Sequence, residues 1–273
     1  MVANAQGVFI MKASILICSL NREESLGRLL RSLKDQTVKG FEILVCRDKG
    51  NLVELKDKLW RQAKGDILVW MDDDIICRPS YMETLMWIFD HNRMVGYCTR
   101  VIVPSDKANN RDIYKFKMFH PIYNKLFLDG NLYSPCYISK CGVNSIGGGF
   151  GSVSSGAIIC SQVDFLEPSA FALRKKAVEE VGGFDLGYKG VGEWCDVDLC
   201  YRVKKFGGLW YDGFNYVYHM PERDGIANQR LETKTRYENY CRFADKFIEK
   251  TPRHYLYRSF LKTYFWGKQK GWF

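Results

Sequence analysis

Apolar residues recur along the first hundred positions in two alternating rhythms. Short unbroken runs, ASILICSL, FEILVC and DILVWM, have the length of buried strands. Between them the spacing turns helical. Leu26, Leu29, Leu30 and Leu33 recur in NREESLGRLLRSLKDQ, and Leu52, Leu55 and Leu59 share one face of NLVELKDKLWRQAKG. Asn21 and Glu24 have the spacing of a helix N-cap and its third-position partner, and Ser80 and Glu83 repeat it ahead of a third helix, PSYMETLMWIFDHN. VGYCTRVIV reads as a fourth strand. Strands and helices alternating at these lengths predict right-handed crossovers and an α/β fold with a mostly parallel sheet covered on both faces.

The rhythm fades between Pro104 and Ser155. That stretch ends in a glycine-rich piece, SIGGGFGSVSSG (145–156), which reads equally as a mobile loop over a site or as a plain connector. Order returns with FALRKKAVEEVGGFD, a helix DVDLCYRVKKFGG and a strand LWYDGFNYVYHMP. The expected organisation is a leader over 1–11, a main domain over 12–228 and a helical extension over 229–273.

Composition changes this picture in three places. With 273 residues and 47% hydrophobic content the chain can bury a large core, and no apolar run approaches the roughly 20 residues that span a bilayer. Ten cysteines are scattered, several inside apolar runs (Cys18, Cys46, Cys160), as free thiols of a reducing compartment are; only the spacing of Cys136 and Cys141 suggests a metal or a disulfide. The net charge of +9 is uneven: Gln229 to Phe273 holds eleven Lys or Arg against four Asp or Glu, with no acid from Lys250 onward. A tail that interleaves basic and aromatic residues over 250–273 suits an anionic membrane surface, less readily nucleic acid, or packs on the main domain.

Candidate chemistry sits where open parallel sheets bind ligands, beyond the carboxyl ends of the strands. CSLNR follows the first strand, RDKG the second and DDDI the third. GxGxxG and GxxxxGK[ST] are both absent, which argues against dinucleotide redox chemistry and P-loop hydrolysis. Three adjacent carboxylates repel one another and need a counter-charge. Asp72 and Asp74 share a side of an extended backbone while Asp73 points the other way, so the outer pair can hold Mn2+ or Mg2+, which commonly complete their shells with substrate phosphates.

Taken together, SILICSLNREESLGRLLRSLKDQTVKGFEILVCRD, AKGDILVWMDDDIICRP, VGGFD and DVDLCYR resemble the family 2 glycosyltransferases of the GT-A fold, over roughly Lys12 to His219. The resemblance implies a Rossmann-like sheet, a nucleotide-diphospho-sugar donor, commonly a UDP-sugar, a divalent metal and inversion at the anomeric carbon. It places Ser19, Leu20 and Asn21 around the base, Asp48 as its hydrogen-bond acceptor, and Asp72 and Asp73 near the ribose or metal. Leu20 stands where the family often has tyrosine, and Arg47 where it often has aspartate. Asp74 is the direct metal ligand, with Asp72, and His219 as a further ligand. GEWCDVDLCYR aligns Asp196 with the catalytic base, leaves Glu193 as the second candidate and offers Trp194 as an acceptor platform; Asp198 and Arg202 lie one turn apart, as a salt bridge would. The implied acceptor is a lipid-linked or surface saccharide, met by a cytoplasmic enzyme held at the inner membrane face. Two other readings stay open: a metal-dependent nucleotidyltransferase-type enzyme, and a catalytically inert membrane- or nucleic-acid-binding protein on the same fold.

Overall fold

The computed structural model describes residues 12–104, 120–148, 157–221 and 233–270. The leader over 1–11, most of the glycine-rich piece and the last three residues of the tail lie outside them. β1 (Ala13–Cys18), β2 (Phe41–Cys46) and β3 (Ile67–Asp72) pair in parallel without a slip, and Cys18 faces both Cys46 and Asp72. That register brings the three polar segments after the strands to one edge of the sheet.

The sheet has the order β2–β1–β3–β9–β5–β10–β4, with β8 (Cys160–Gln162) also paired to β10. β5 (Gly96–Ile102) and β10 (Leu209–His219) run with the first three strands. β9 (Ala170–Arg174), β4 (Ile75–Cys77) and β8 run against them. A two-stranded ribbon, β6 (Tyr137–Ile138) and β7 (Asn144–Ser145), stands apart. Five of eight strands therefore share one direction, and the α/β architecture expected from the alternating pattern stands.

Alternation along β1 sorts its side chains between two cores. Ile15 and Ile17 join Leu26, Leu29 and Leu33 of α1 (Glu23–Lys34) and Leu85 and Phe89 of α3 (Tyr81–His91). Leu16 joins Trp60 of α2 (Leu52–Gln62) and Val197 and Leu199 of α6 (Cys195–Val203) on the other face. Each such side chain contributes about 1.5–3 kcal/mol by leaving water.

Helix starts differ from the expected caps. Asn21 takes a left-handed backbone (φ 56°), so Arg22 becomes the N-cap of α1, without a side-chain cap bond. Ser80 makes no cap bond either, and Glu83 accepts from Thr37 Oγ1 at 2.9 Å instead. α2 also turns differently from the leucine pattern. Its buried side is Val53, Lys56, Asp57, Leu59 and Trp60, because the segment between α5 (Lys175–Glu180) and α6 lies against it. Gly183 (φ +83°) and Gly192 (φ +69°) allow that approach. A Cβ at either would sit 2.4 Å from Asp57 Oδ1 or 2.5 Å from Val53 Cγ2.

The C-terminal helices α7 (Thr233–Phe247) and α8 (Pro252–Gln269) dock on this frame. Phe243 enters the α2–α6 core, while Tyr240 and Tyr257 form a third cluster with Phe127 of α4 (His120–Phe127). Arg242 and Lys246 pair with Asp185, and Lys246 also reaches Asp198. All ten cysteines are free, Cys136 and Cys141 among them, so the spacing of that pair carries no disulfide.

Candidate active site

The short strand β4 is what assembles the site. β3 ends in Asp72, the chain turns through Asp73 and Asp74, and β4 then returns antiparallel to β10 with Ile75 opposite His219. The Met220 amide donates to the Asp74 carbonyl at 2.8 Å. This pairing carries His219 Nε2 to 3.1 Å from Asp74 Oδ1. Asp72, Asp74 and His219 thus present three ligand atoms within 4.8 Å of one another.

Asp73 points elsewhere, as the strand alternation requires. It accepts from Ser19 Oγ at 2.7 Å and from Arg22 Nη1 at 2.6 Å, while Arg22 Nη2 donates to Asp74 Oδ2 at 2.6 Å. The counter-charge for the three aspartates is therefore Arg22 on one side and His219 on the other. The balance is unequal. Burial, with Asp74 and Asp72 adding to it, pushes Asp73 up to about 6 against the pull of Ser19 and Arg22. Burial also acts on Asp74, but His219 and Arg22 outweigh it and hold that carboxyl at about 2. The imidazole of His219 is raised: burial lowers it, and the carboxylates of Asp74, Asp72 and Glu167 more than reverse this.

The donor set fits a divalent cation. Two carboxylates and an imidazole converge, and the His219 approach to Asp74 is off-axis, so Asp74 Oδ1 is buried without a well-directed hydrogen bond. His219 Nδ1 is likewise buried without a partner. Orphaned buried acceptors of this kind cost free energy unless a ligand satisfies them.

The aspartates open into a cleft of about 100 Å³ whose wall includes Cys18, Arg22, Lys56, Asp72 and His219. Next to it, Ser19, Leu20, Asp48, Gly50 and Leu52 line a smaller hollow. Leu52 and Cys18 belong to both, so the base-binding residues expected from the sequence and the aspartate cluster share one continuous edge. Asp48 is half exposed and paired with Lys58 at 2.9 Å, and this bond holds its carboxyl below the usual range. Asn21 is exposed on the left-handed turn.

Asp196 lies in the first turn of α6, buried, with both oxygens 2.9 Å from Lys56 Nζ. Burial disfavours the charge on Lys56, but Asp196, Cys195 and Asp72 more than compensate and its pKa is raised. Glu193 is engaged by Arg236 Nε of α7 at 2.7 Å. Trp194, in a left-handed conformation (φ 75°), stacks on Phe243 with ring centroids 4.9 Å apart, so one face is occupied by the extension. The expected Asp198–Arg202 bridge is present at 2.6 Å, and Tyr188 donates to the same carboxylate at 3.1 Å.

Three participants escaped the sequence reading. Arg22 lay inside the polar turn CSLNR without an assigned task. Lys56 was hidden in a helix whose leucines looked like the whole buried face. Glu167, ahead of β9, is buried with Oε2 unpartnered and is pushed up to about 7 by burial. Its neighbouring charges are His219 and Asp72.

Comparison with known proteins bears on the fold and on one segment of the chain. The model of glycosyl transferase family 2 matches residues 52–143. No curated protein matches the sequence. Among solved structures, the chain is similar to GalNAc-T7, crystallised with UDP, GalNAc and Mn2+ (12% identity, TM-score 0.58, 86% of this chain and 48% of that one). It is similar to residues 1–349 of S. aureus TarS (10%, 0.53, 86% and 64%). It is also similar to the mannosyltransferase PcManGT from Pyrobaculum calidifontis, in complex with GDP-Man and Mn2+ (10%, 0.51, 94% and 70%). The chain thus spans about half of the first and under two thirds of the second, and identities this low speak for the GT-A fold.

Proposed function

We propose that this chain is a glycosyltransferase that moves a sugar from a nucleotide-diphospho-sugar to an acceptor hydroxyl with inversion, a reading that the family 2 segment and the GT-A fold support. The observation that carries the reading is the convergence of Asp72, Asp74 and His219 in a cleft whose wall also includes Lys56, the residue that pairs with Asp196.

Asp74, Asp72 and His219 hold Mn2+, the mixed oxygen and nitrogen set suiting it better than Mg2+, which prefers oxygen. A bound dication supplies Lewis-acid stabilisation for the charge that develops on the leaving diphosphate. Ser19, Leu20 and Asp48 receive the nucleoside end in the smaller hollow, and Asp73 fixes Ser19 and Arg22 beneath it. UDP is the favoured nucleotide, since Asp48 can accept from a uracil N3–H. Asp196 takes the proton of the acceptor hydroxyl as its oxygen bonds to the anomeric carbon. The carbon–oxygen bond to the diphosphate breaks with its electron pair, releasing the nucleoside diphosphate. Glu193, held by Arg236, and Trp194, backed by Phe243 and Tyr240, border the acceptor side.

The acceptor is a lipid-linked or surface saccharide reached from an anionic membrane face. Supporting this, α8 exposes Leu256 (55%) and Phe260 (45%) one turn apart, and α4 exposes Ile122 (59%) and Leu126 (43%). Phe260 packs on Phe127 and Tyr123 of α4, which joins the two helices. Lys125 and Lys262 are exposed on the same helices, a combination that suits headgroups and acyl chains together. No helix among the described residues is long and apolar enough to cross a membrane.

The test is nucleotide release from a panel of UDP- and GDP-sugars, with and without Mn2+, alongside thermal shift with the free nucleotides. One nucleotide should stabilise the chain by mass action in a Mn2+-dependent way. No stabilisation and no release across the panel would overturn the reading.

A further inference from the structure

The contact between Lys56 and Asp196 is unusual for a base awaiting its substrate. Nζ lies 2.9 Å from both carboxylate oxygens, and both residues are buried. A carboxylate whose two oxygens are held by one ammonium is poorly placed to receive a proton from an incoming hydroxyl. Removing one partner of such a buried pair leaves an uncompensated charge, so the pair gives way readily only where another counter-charge replaces the one withdrawn. Yet Lys56 is also in the wall of the cleft, with Asp72, Arg22 and His219. A nucleoside diphosphate entering that cleft brings two or more negative charges to within reach of the same ammonium. The four-carbon lysine stem can turn its head between the two anions without moving α2.

The geometry points to Lys56 as a positioning residue that clamps Asp196 while the cleft is empty and hands its hydrogen bonds to the donor diphosphate when the donor arrives. This rests on the glycosyltransferase reading above. The base is thereby released only after donor binding. The charges facing the pair are Cys195 beside Asp196 on α6, Asp72 on β3 and the Cys18 thiol on β1, which burial keeps neutral at a pKa of about 12. Lys56 is the cation in contact with Asp196, while Arg22 and His219 in the same wall are engaged by Asp73 and Asp74.

The experiment measures UDP affinity in the presence of Mn2+ by calorimetry on the full chain. Asp196→Asn removes the competing anion and frees Lys56, so UDP should bind tighter than to the wild type, on the order of threefold or more given the strength of charged hydrogen bonds. The double variant Lys56→Met/Asp196→Asn, which leaves no orphaned charge and so protects the fold, should lose about tenfold or more against Asp196→Asn for the same reason. Lys56→Arg/Asp196→Asn should restore most of that loss. A merely structural pair predicts equal UDP affinity in all four proteins, and that result overturns the clamp. If the wild type binds no UDP or GDP at any Mn2+ concentration, the glycosyltransferase reading itself fails, and the two failures are told apart by that single control.

Discussion

Replacing Asp73 by asparagine should stabilise the metal-free protein at neutral pH, although it deletes an ion pair. The buried carboxyl has a pKa of about 6, against 3.8 for an ordinary aspartate. A folded-state value above the unfolded one means that Asp73 favours the folded state only while protonated. Its contribution is intact below about pH 4 and lost as pH rises through 6. At pH 7.5 the two-unit difference costs about 3 kcal/mol at 1.36 kcal/mol per unit. Asparagine keeps one oxygen, for Arg22, and turns its amide NH2 to Ser19 Oγ, which then accepts instead of donating; both bonds weaken, so we expect a net gain of about 1–2 kcal/mol. For a chain of this size that is a rise in Tm of roughly 2–5 °C. The assay is thermal unfolding of both proteins in chelator from pH 4 to pH 8, with the gap largest above pH 6 and closing by about pH 4. A variant that is less stable than wild type at pH 7.5, or a gap independent of pH, would show that Arg22 fully compensates the buried charge.

Other expectations follow from the same geometry. Asp196→Asn should lower transfer by about 10²- to 10⁴-fold while the chain still binds its nucleotide, measured as nucleotide release beside calorimetry. Disturbing even the supporting partners of a metal ligand costs 10- to 100-fold in affinity, so His219→Ala should raise the Mn2+ concentration for half-activity by at least about tenfold; an unchanged Mn2+ titration would remove His219 from the ligand set. Asp198→Ala removes the buried acceptor that Arg202, Lys246 and Tyr188 share, leaving Lys246 to Asp185 and Arg202 to the Val181 carbonyl, and should cost about 1.5–3 kcal/mol in urea unfolding. Leu256→Asp with Phe260→Asp should abolish sedimentation with vesicles containing phosphatidylserine and leave nucleotide binding unchanged; retained sedimentation would remove α8 from the membrane contact.

Much of the fold was legible because parallel strands buried on both faces are written as apolar runs, as ILVWM and ILIC are, while FEILVC, with its Glu42, is the half-buried edge strand β2. The aspartates were legible for a related reason. A charged triplet directly after a buried strand has few destinations other than the ligand edge of the sheet. What stayed hidden depended on pairings between distant segments. Nothing local to NREESL says that Arg22 will reach across to Asp73 and Asp74, since that requires the exact register of β1 against β3. Lys56 stayed unassigned because amphipathic periodicity gives a lysine to solvent by default, and here the face of α2 is set by Gly183 and Gly192 pressing against it. The expected caps at Asn21 and Ser80 failed where the preceding turn was committed elsewhere, to a left-handed residue in one case and to Thr37 in the other.

The same counter-charges explain how a cluster of three aspartates survives in an empty site and still yields to a ligand. Arg22 and His219 approach Asp74 from opposite oxygens, so one of them can be replaced without exposing the other. The His219 contact is the weaker of the two, since it is off-axis and needs a protonated imidazole to be attractive. A dication arriving at that oxygen displaces a proton rather than a residue: neutral His219 turns from counter-ion to ligand with little movement, while Arg22 stays on the far oxygen and keeps Asp73 paired. Metal loading should therefore release protons, and its apparent affinity should rise with pH until His219 is fully neutral. Titrating Mn2+ by calorimetry in two buffers of different ionisation enthalpy between pH 6 and pH 8 measures this directly. A binding heat that does not depend on the buffer would mean that no proton leaves and that His219 is already neutral in the empty site.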